Sequence, residues 1–132
     1  MINTTSLQTI KALVELAKLE SGRCEGIARI AQRIHAPQNY LAKTVQGLVS
    51  EGLVISQKGL NGGFRLAQKP SEINLYQIVD AVEGLSSWEG CFLGNETCSR
   101  KTACLVHDRW GKARAVYTDF LKKTTLADLI SK

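Results

Sequence analysis

No apolar run in the 132-residue chain approaches the ~20 residues that cross a bilayer. The best candidate, residues 10–17, is broken by Lys11 and Glu15. Met1 is not followed by the cationic lead and apolar core of a secretory signal, so the expected location is the cytoplasm. Neither an internal repeat nor a low-complexity linker is present. With 44% hydrophobic and 22% charged residues, the composition also excludes a wholly disordered or collagen-like chain. What is left is the size of one compact domain, or of one with a long appendage, with little room for a second independent core.

Charge is present but unevenly spread. Residues 1–70 hold nine Lys or Arg against four Asp or Glu, a balance of +5, whereas residues 71–132 hold eight of each, a balance of zero. The whole excess therefore sits in the first half. A basic half joined to a neutral one suggests that the first half faces a polyanion, most often nucleic acid, while the second does something else; a basic solvated face is the plainer alternative.

Apolar spacing divides that first half into helices. Thr4, Thr5 and Ser6 offer a cap, and Leu7, Ile10, Leu13, Val14 and Ala17 recur at helical spacing to about Leu19, where Ser21 and Gly22 end the pattern. Ile27, Ile30, Ala31 and Ile34 predict a short second helix, interrupted by His35, Ala36 and Pro37. Pro37 suits the first turn of a third helix, since its missing N–H would have no intrahelical partner there. Tyr40, Leu41, Val45, Leu48 and Val49 supply that helix's apolar stripe, and Gly52 its stop.

Residues 53–57 and 64–66 flank a tip containing Gly59, Asn61, Gly62 and Gly63, which predicts a β-hairpin closed off by Pro70. Asn74 with Gln77 resembles a capping box for a fourth helix, lined by Leu75, Ile78, Val79 and Val82 and ending at Gly84. Residues 85–103 show no sustained periodicity. Val106, Trp110, Ala113, Tyr117 and Phe120 then recur in alternating steps of four and three, the seam spacing of a helix that pairs with a second chain. Thr125 and Asp128 cap a short tail helix.

Two short helices with a tight break, followed by a glycine-rich hairpin, have the order of a winged helix-turn-helix. The expected class is mainly α with a small β-hairpin, a winged DNA-binding domain joined to a long C-terminal dimerisation helix. A duplex major groove about 12 Å wide admits one helix, here the third. Gln38, Asn39, Lys43 and Thr44 lie on its early turns, with Tyr40 among them. Amide side chains can pair with adenine and Lys with guanine or phosphate. In the wing, Lys58 and Arg65 can neutralise phosphates or enter the minor groove, while Asn61, Gly62 and Gly63 let backbone approach the duplex. Singly, each residue has a plainer reading as a helix start, a solvated face or an ordinary turn; the order of the elements is what favours double-stranded DNA as partner.

The neutral half has cysteines but no Cys-x-x-Cys pair. Cys91, Cys98 and Cys104 are separated by six and then five residues, whereas Cys24 stands alone and reads as a packed or bystander thiol. Zinc ribbons use two close pairs, so this spacing fits a larger inorganic core such as an iron–sulfur cluster better. His107, three positions after Cys104, offers a fourth ligand on the same helical face. Imidazole in place of thiolate reduces the negative charge of such a site. The alternatives are free thiols that pair only under oxidation, zinc at unusual spacing, and a solvated first-turn histidine. A thiol enzyme using Cys104 and His107 lacks any third orienting residue and leaves the winged half without a purpose, so no enzymatic activity is expected. Trp88 and Trp110 read as core or seam residues.

With these residues in place, nearly the whole chain resembles the bacterial IscR/NsrR-type winged-helix transcription regulators, a family that also includes CymR. The wing at residues 58–66, the helix at residues 76–84, the three-cysteine segment and residues 125–129 carry the resemblance. It implies a homodimer joined through the long C-terminal helix, a near-palindromic operator, and an iron–sulfur cluster whose state controls operator affinity. It also implies Cys91, Cys98 and Cys104 as ligands, and His107 matches the histidine used by the cluster-assembly regulator. Two departures accompany it: the best-known members have five residues between the first two cysteines, and Gln8 stands in the region where the nitric-oxide sensors carry an acidic ligand. A [2Fe–2S] cluster is therefore expected first and [4Fe–4S] second. A cluster-free repressor acting by thiol redox or through a partner protein is the competing expectation. The expected division is a DNA-binding domain at 1–84, a cysteine-rich segment at 85–104, and a dimerisation helix with tail at 105–132.

Overall fold

A computed structural model describes residues 2–85 and 106–130. Helix α1 (Thr4–Ala17) is capped by Asn3, whose side chain accepts from the Ser6 N–H at 2.8 Å. The expected caps Thr4, Thr5 and Ser6 lie inside the helix instead. Ser6 is buried and donates its hydroxyl to Glu83 at 2.5 Å, so it ties the start of α1 to a residue 77 positions along the chain. The helix also stops at Ala17, before Leu19, whose N–H turns back to Leu16 at 3.1 Å in a tighter terminal turn.

Helices α2 (Ile27–Ile34) and α3 (Gln38–Ser50) are separated by His35 in a left-handed conformation, φ 57°, and by Pro37. Pro37 stands just ahead of the first helical position rather than within it; its carbonyl accepts from Leu41 at 3.0 Å. Gly52, φ 80°, ends α3 as its spacing predicts.

Strands β1 (Val54–Gln57) and β2 (Gly63–Leu66) pair antiparallel, Val54 opposite Leu66 and Gln57 opposite Gly63. A third partner was not expected: Glu25 and Phe64 exchange both backbone hydrogen bonds, at 3.0 and 2.9 Å, adding one rung from the chain before α2. Helix α4 (Leu75–Glu83) begins with both bonds of the capping box, each 2.9 Å, and ends at Gly84 with φ 71°.

The C-terminal part is sewn onto this head. Helices α5 (His107–Lys123) and α6 (Leu126–Ile130) are joined at Thr124 and Thr125; Leu75 donates to the Thr124 carbonyl at 2.9 Å and Leu126 to Ile73 at 3.0 Å. Leu121 and Leu126 are fully buried in the same core as Leu13, Ile30, Leu41 and Ile78. Each such leucine contributes about 1.5–3 kcal/mol. The Thr125–Asp128 cap forms, at 2.9 Å from the Thr125 N–H.

The seam on α5 differs from its expected membership. Tyr117 packs partly against the core, while Val116, absent from the expected set, is 73% exposed and Phe120 52%. The apolar stripe turned outward is thus Ala113, Val116 and Phe120, because Leu121 rotates the other side of the helix into the head. The whole is a winged helix-turn-helix with a long C-terminal helix, mainly α with one small sheet, as expected.

Candidate nucleic-acid interface

On α3 the buried positions Leu41, Val45 and Leu48 fix the roll of the helix. That roll leaves Gln38, Asn39, Tyr40 and Lys43 exposed, so two carboxamides, a phenol and an ammonium crowd the first two turns. Thr44 is half-buried and returns its hydroxyl to the Tyr40 carbonyl at 3.0 Å. Tyr40, placed by its spacing in the apolar stripe, is 57% exposed and does not join the core. It borders a cleft of about 310 Å3 with Lys43, Gly47, Thr5, Ala81 and Val82, so the exposed side of α3 touches the last turn of α4.

The wing residues divide. Lys58 and Asn61 are exposed at the tip, with Asn61 at φ 63°. Gly62 and Gly63 have reasons internal to the chain for lacking side chains. A Cβ on Gly62 would stand 2.3 Å from the Gln57 carbonyl oxygen, and one on Gly63, φ 132°, would stand 2.4 Å from that of Glu25. Arg65 is half-buried, and its Nε is buried without a hydrogen-bond partner among the described residues. It lines a cavity of about 550 Å3 with Glu20, Arg23 and Lys69, near the end of α1 rather than at the tip.

Two cations that sequence reasoning passed over, Arg23 and Arg29, line a second cavity of about 730 Å3 with Cys24, Gln57 and Asn61. Only the charge excess of the first half pointed to them. The Cys24 thiol is half-buried, 3.6 Å from the Gln57 amide oxygen, in keeping with a packed thiol. Arg23 pairs with Glu20 at 3.5 Å on the surface, whereas Arg33 reaches inward: it bonds Glu15 at 2.7 Å and also contacts Glu25. The Lys18 ammonium, at 3.0 Å, lowers the Glu15 pKa against the opposing effect of burial, and Arg33 lowers it further.

Cys91, Cys98, Cys104 and Trp88 lie outside the described residues. His107 opens α5, half-buried, immediately after the N-cap Val106. The positive end of a helix dipole at that point suits an anionic thiolate assembly. On the other side of the cysteine segment Leu85 is buried and donates its N–H to Asp80 at 2.9 Å. Gln8 is half-buried on α1. No group of three or more His, Cys, Asp or Glu comes together among the described residues.

This architecture, with a polar first turn on the third helix beside a glycine-tipped wing, defines a winged-helix DNA-binding regulator. The chain belongs to the Rrf2 family, whose description is iron-dependent transcriptional regulator and whose model matches residues 2–132. A relative from Aquifex aeolicus, named as an HTH-type transcriptional regulator, is 35% identical over 124 residues, covering 91% of this chain and 86% of its own. Among solved structures, CymR, titled the global cysteine regulator of B. subtilis, superposes with a TM-score of 0.80 at 26% identity over 98% of this chain and 95% of that one. T. potens IscR gives a TM-score of 0.79 at 25% identity over 98% and 85%. The chain is thus a transcriptional regulator rather than an enzyme, and no helix among the described residues is long and apolar enough to cross a membrane.

Proposed function

We propose that this regulator binds a near-palindromic operator as a homodimer, one α3 and one wing to each half-site, and that an iron–sulfur cluster on Cys91, Cys98, Cys104 and His107 sets its affinity. The exposed first two turns of α3 carry the operator reading: Gln38, Asn39 and Lys43 face bases, with Tyr40 and Thr44 beside them. Lys58 and Arg65 supply phosphate contacts, with Asn61, Gly62 and Gly63 shaping the wing.

For the cofactor, three thiols and an imidazole form a donor set that fits a cluster, favouring [2Fe–2S] over [4Fe–4S], and the family's iron-dependent description supports it. When bound, the cluster supplies a redox- and iron-responsive tie between the cysteine segment and the first turn of α5. The chain's own residues relay that tie. Glu83 accepts from Ser6 at 2.5 Å and from the Asn3 N–H at 2.9 Å, which anchors α4 to α1 just before the segment begins. Ala81 and Val82 border the cleft shared with Tyr40 and Lys43, so a shift of the α4 terminus reaches the recognition helix directly as well as through the spacing of the two protomers.

A second reading, a cluster-free regulator working by thiol redox or through a partner protein, is favoured by the likeness to a cysteine regulator. Anaerobic purification separates the two. The cluster reading expects bound iron and visible absorption that are lost on Cys91→Ala, Cys98→Ala or Cys104→Ala and altered on His107→Ala; a colourless, iron-free protein that still binds operator would overturn it in favour of the second.

A further inference from the structure

Leu60 is 93% exposed, more than any other large hydrophobic among the described residues. A single apolar side chain on an open surface needs no explanation, but this one occupies a built position. Residues 59–62 form a turn closed by the Gly62 N–H bonding to the Gly59 carbonyl at 3.0 Å. Gly59, φ 89°, leads into it and Asn61, φ 63°, takes the left-handed place that follows Leu60, the geometry that sets Leu60 at the apex. Gly62 closes the turn where a side chain would meet the Gln57 and Gly59 carbonyls. Beside it stands Lys58, and this half of the chain carries the entire net charge of +5.

A leucine alone presents far less area than a protein-docking patch. Held at the apex of a cationic hairpin, it has the size and polarity of the apolar wedges that enter the minor groove, pack on sugar edges and pry at a base step. We propose that Leu60 is such a wedge: the tip of the wing makes an apolar contact in the minor groove flanking each half-site, and favours easily unstacked steps there. The proposal rests on the operator-binding reading above.

The test uses full-length protein and an operator duplex selected by the wild-type chain from a random pool. Leu60→Ala is expected to weaken binding about tenfold, the order of one lost leucine contact. Its salt dependence should stay unchanged, because an apolar contact releases no counterion, and energy transfer between the duplex ends should report a smaller bend. Leu60→Met should restore most of both. Lys58→Ala should instead flatten the salt dependence by about one counterion. Wild-type affinity and bend in Leu60→Ala would overturn the wedge while leaving operator binding intact, as would a Leu60→Ala protein changed only in self-association. If the wild-type chain selects no duplex at all, the operator reading falls and the wedge with it.

Discussion

At the scale of single residues, the two glycines before Phe64 show how a nucleic-acid motif can be held in place by demands of the fold. Gly63 is the point where β2 passes within contact of the Glu25 backbone, and both its φ of 132° and the Glu25 carbonyl standing where a Cβ would lie forbid a side chain. Gly59 also has positive φ, 89°, but nothing among the described residues lies within 4 Å of its absent Cβ. The two therefore separate strain from clash. Gly63→Ala is expected to lower stability by about 2–3 kcal/mol and Gly59→Ala by about 1 kcal/mol, read from urea unfolding. Equal losses would mean that the Glu25 rung yields at no cost. If the rung is needed to brace the wing, operator affinity should follow stability only for Gly63→Ala.

At the scale of elements, Arg33 joins three of them. It reaches Glu15 on α1 at 2.7 Å and the side chain of Glu25, whose backbone is the extra rung against β2. Lys18 and Arg33 hold the Glu15 carboxyl below its ordinary pKa, so the folded state binds that proton less readily than the unfolded one. Such a group adds stability above its unfolded pKa, and the contribution disappears as pH falls through the lower folded value. Glu15→Gln should accordingly flatten the acid side of the stability profile, from about pH 5 downward, and leave neutral-to-alkaline pH dependence unchanged. A melting profile identical to wild type on the acid side would show that the pair is screened away by solvent.

These elements also mark how far sequence reasoning reaches. Local chemistry was legible: the Asn74–Gln77 capping box, the Thr125–Asp128 cap, the break at His35 and the outward face of Gln38, Asn39 and Lys43 all follow from neighbours within one or two helical turns. What needed the fold was long-range. Ser6, itself buried, bonds Glu83 far along the chain instead of capping, and Asn3 takes the cap. Glu25 carries no strand signature, since one rung needs no alternation. The spacing places Arg65 in the wing, but only strand pairing shows that it stands opposite Ile55 and lines the cavity at the end of α1.

At the scale of the whole molecule, α5 turns an apolar stripe away from the core. Ala113, Val116 and Phe120 lie three and four residues apart on α5, with Phe120 leaning on Tyr117 at a ring separation of 6.4 Å. Leu121 anchors the opposite side of the same helix in the head. An isologous contact along this stripe would pair two α5 helices while leaving both heads free to face DNA, the arrangement a two-fold operator requires. Its consequence is testable without the cofactor. Val116→Glu with Phe120→Glu places charge on the stripe but none in the core, so the protein should sediment as a monomer with a melting temperature close to that of wild-type monomer at low concentration. Binding to a single half-site should survive, while binding to the full operator should lose the gain that comes from holding two half-sites at once, about 10²-fold or more. Leu121→Ala supplies the contrast: it should cost about 2–5 kcal/mol of folding stability. If the double variant still sediments as a dimer, the pairing face lies elsewhere, and spacing between the heads cannot be set by this stripe.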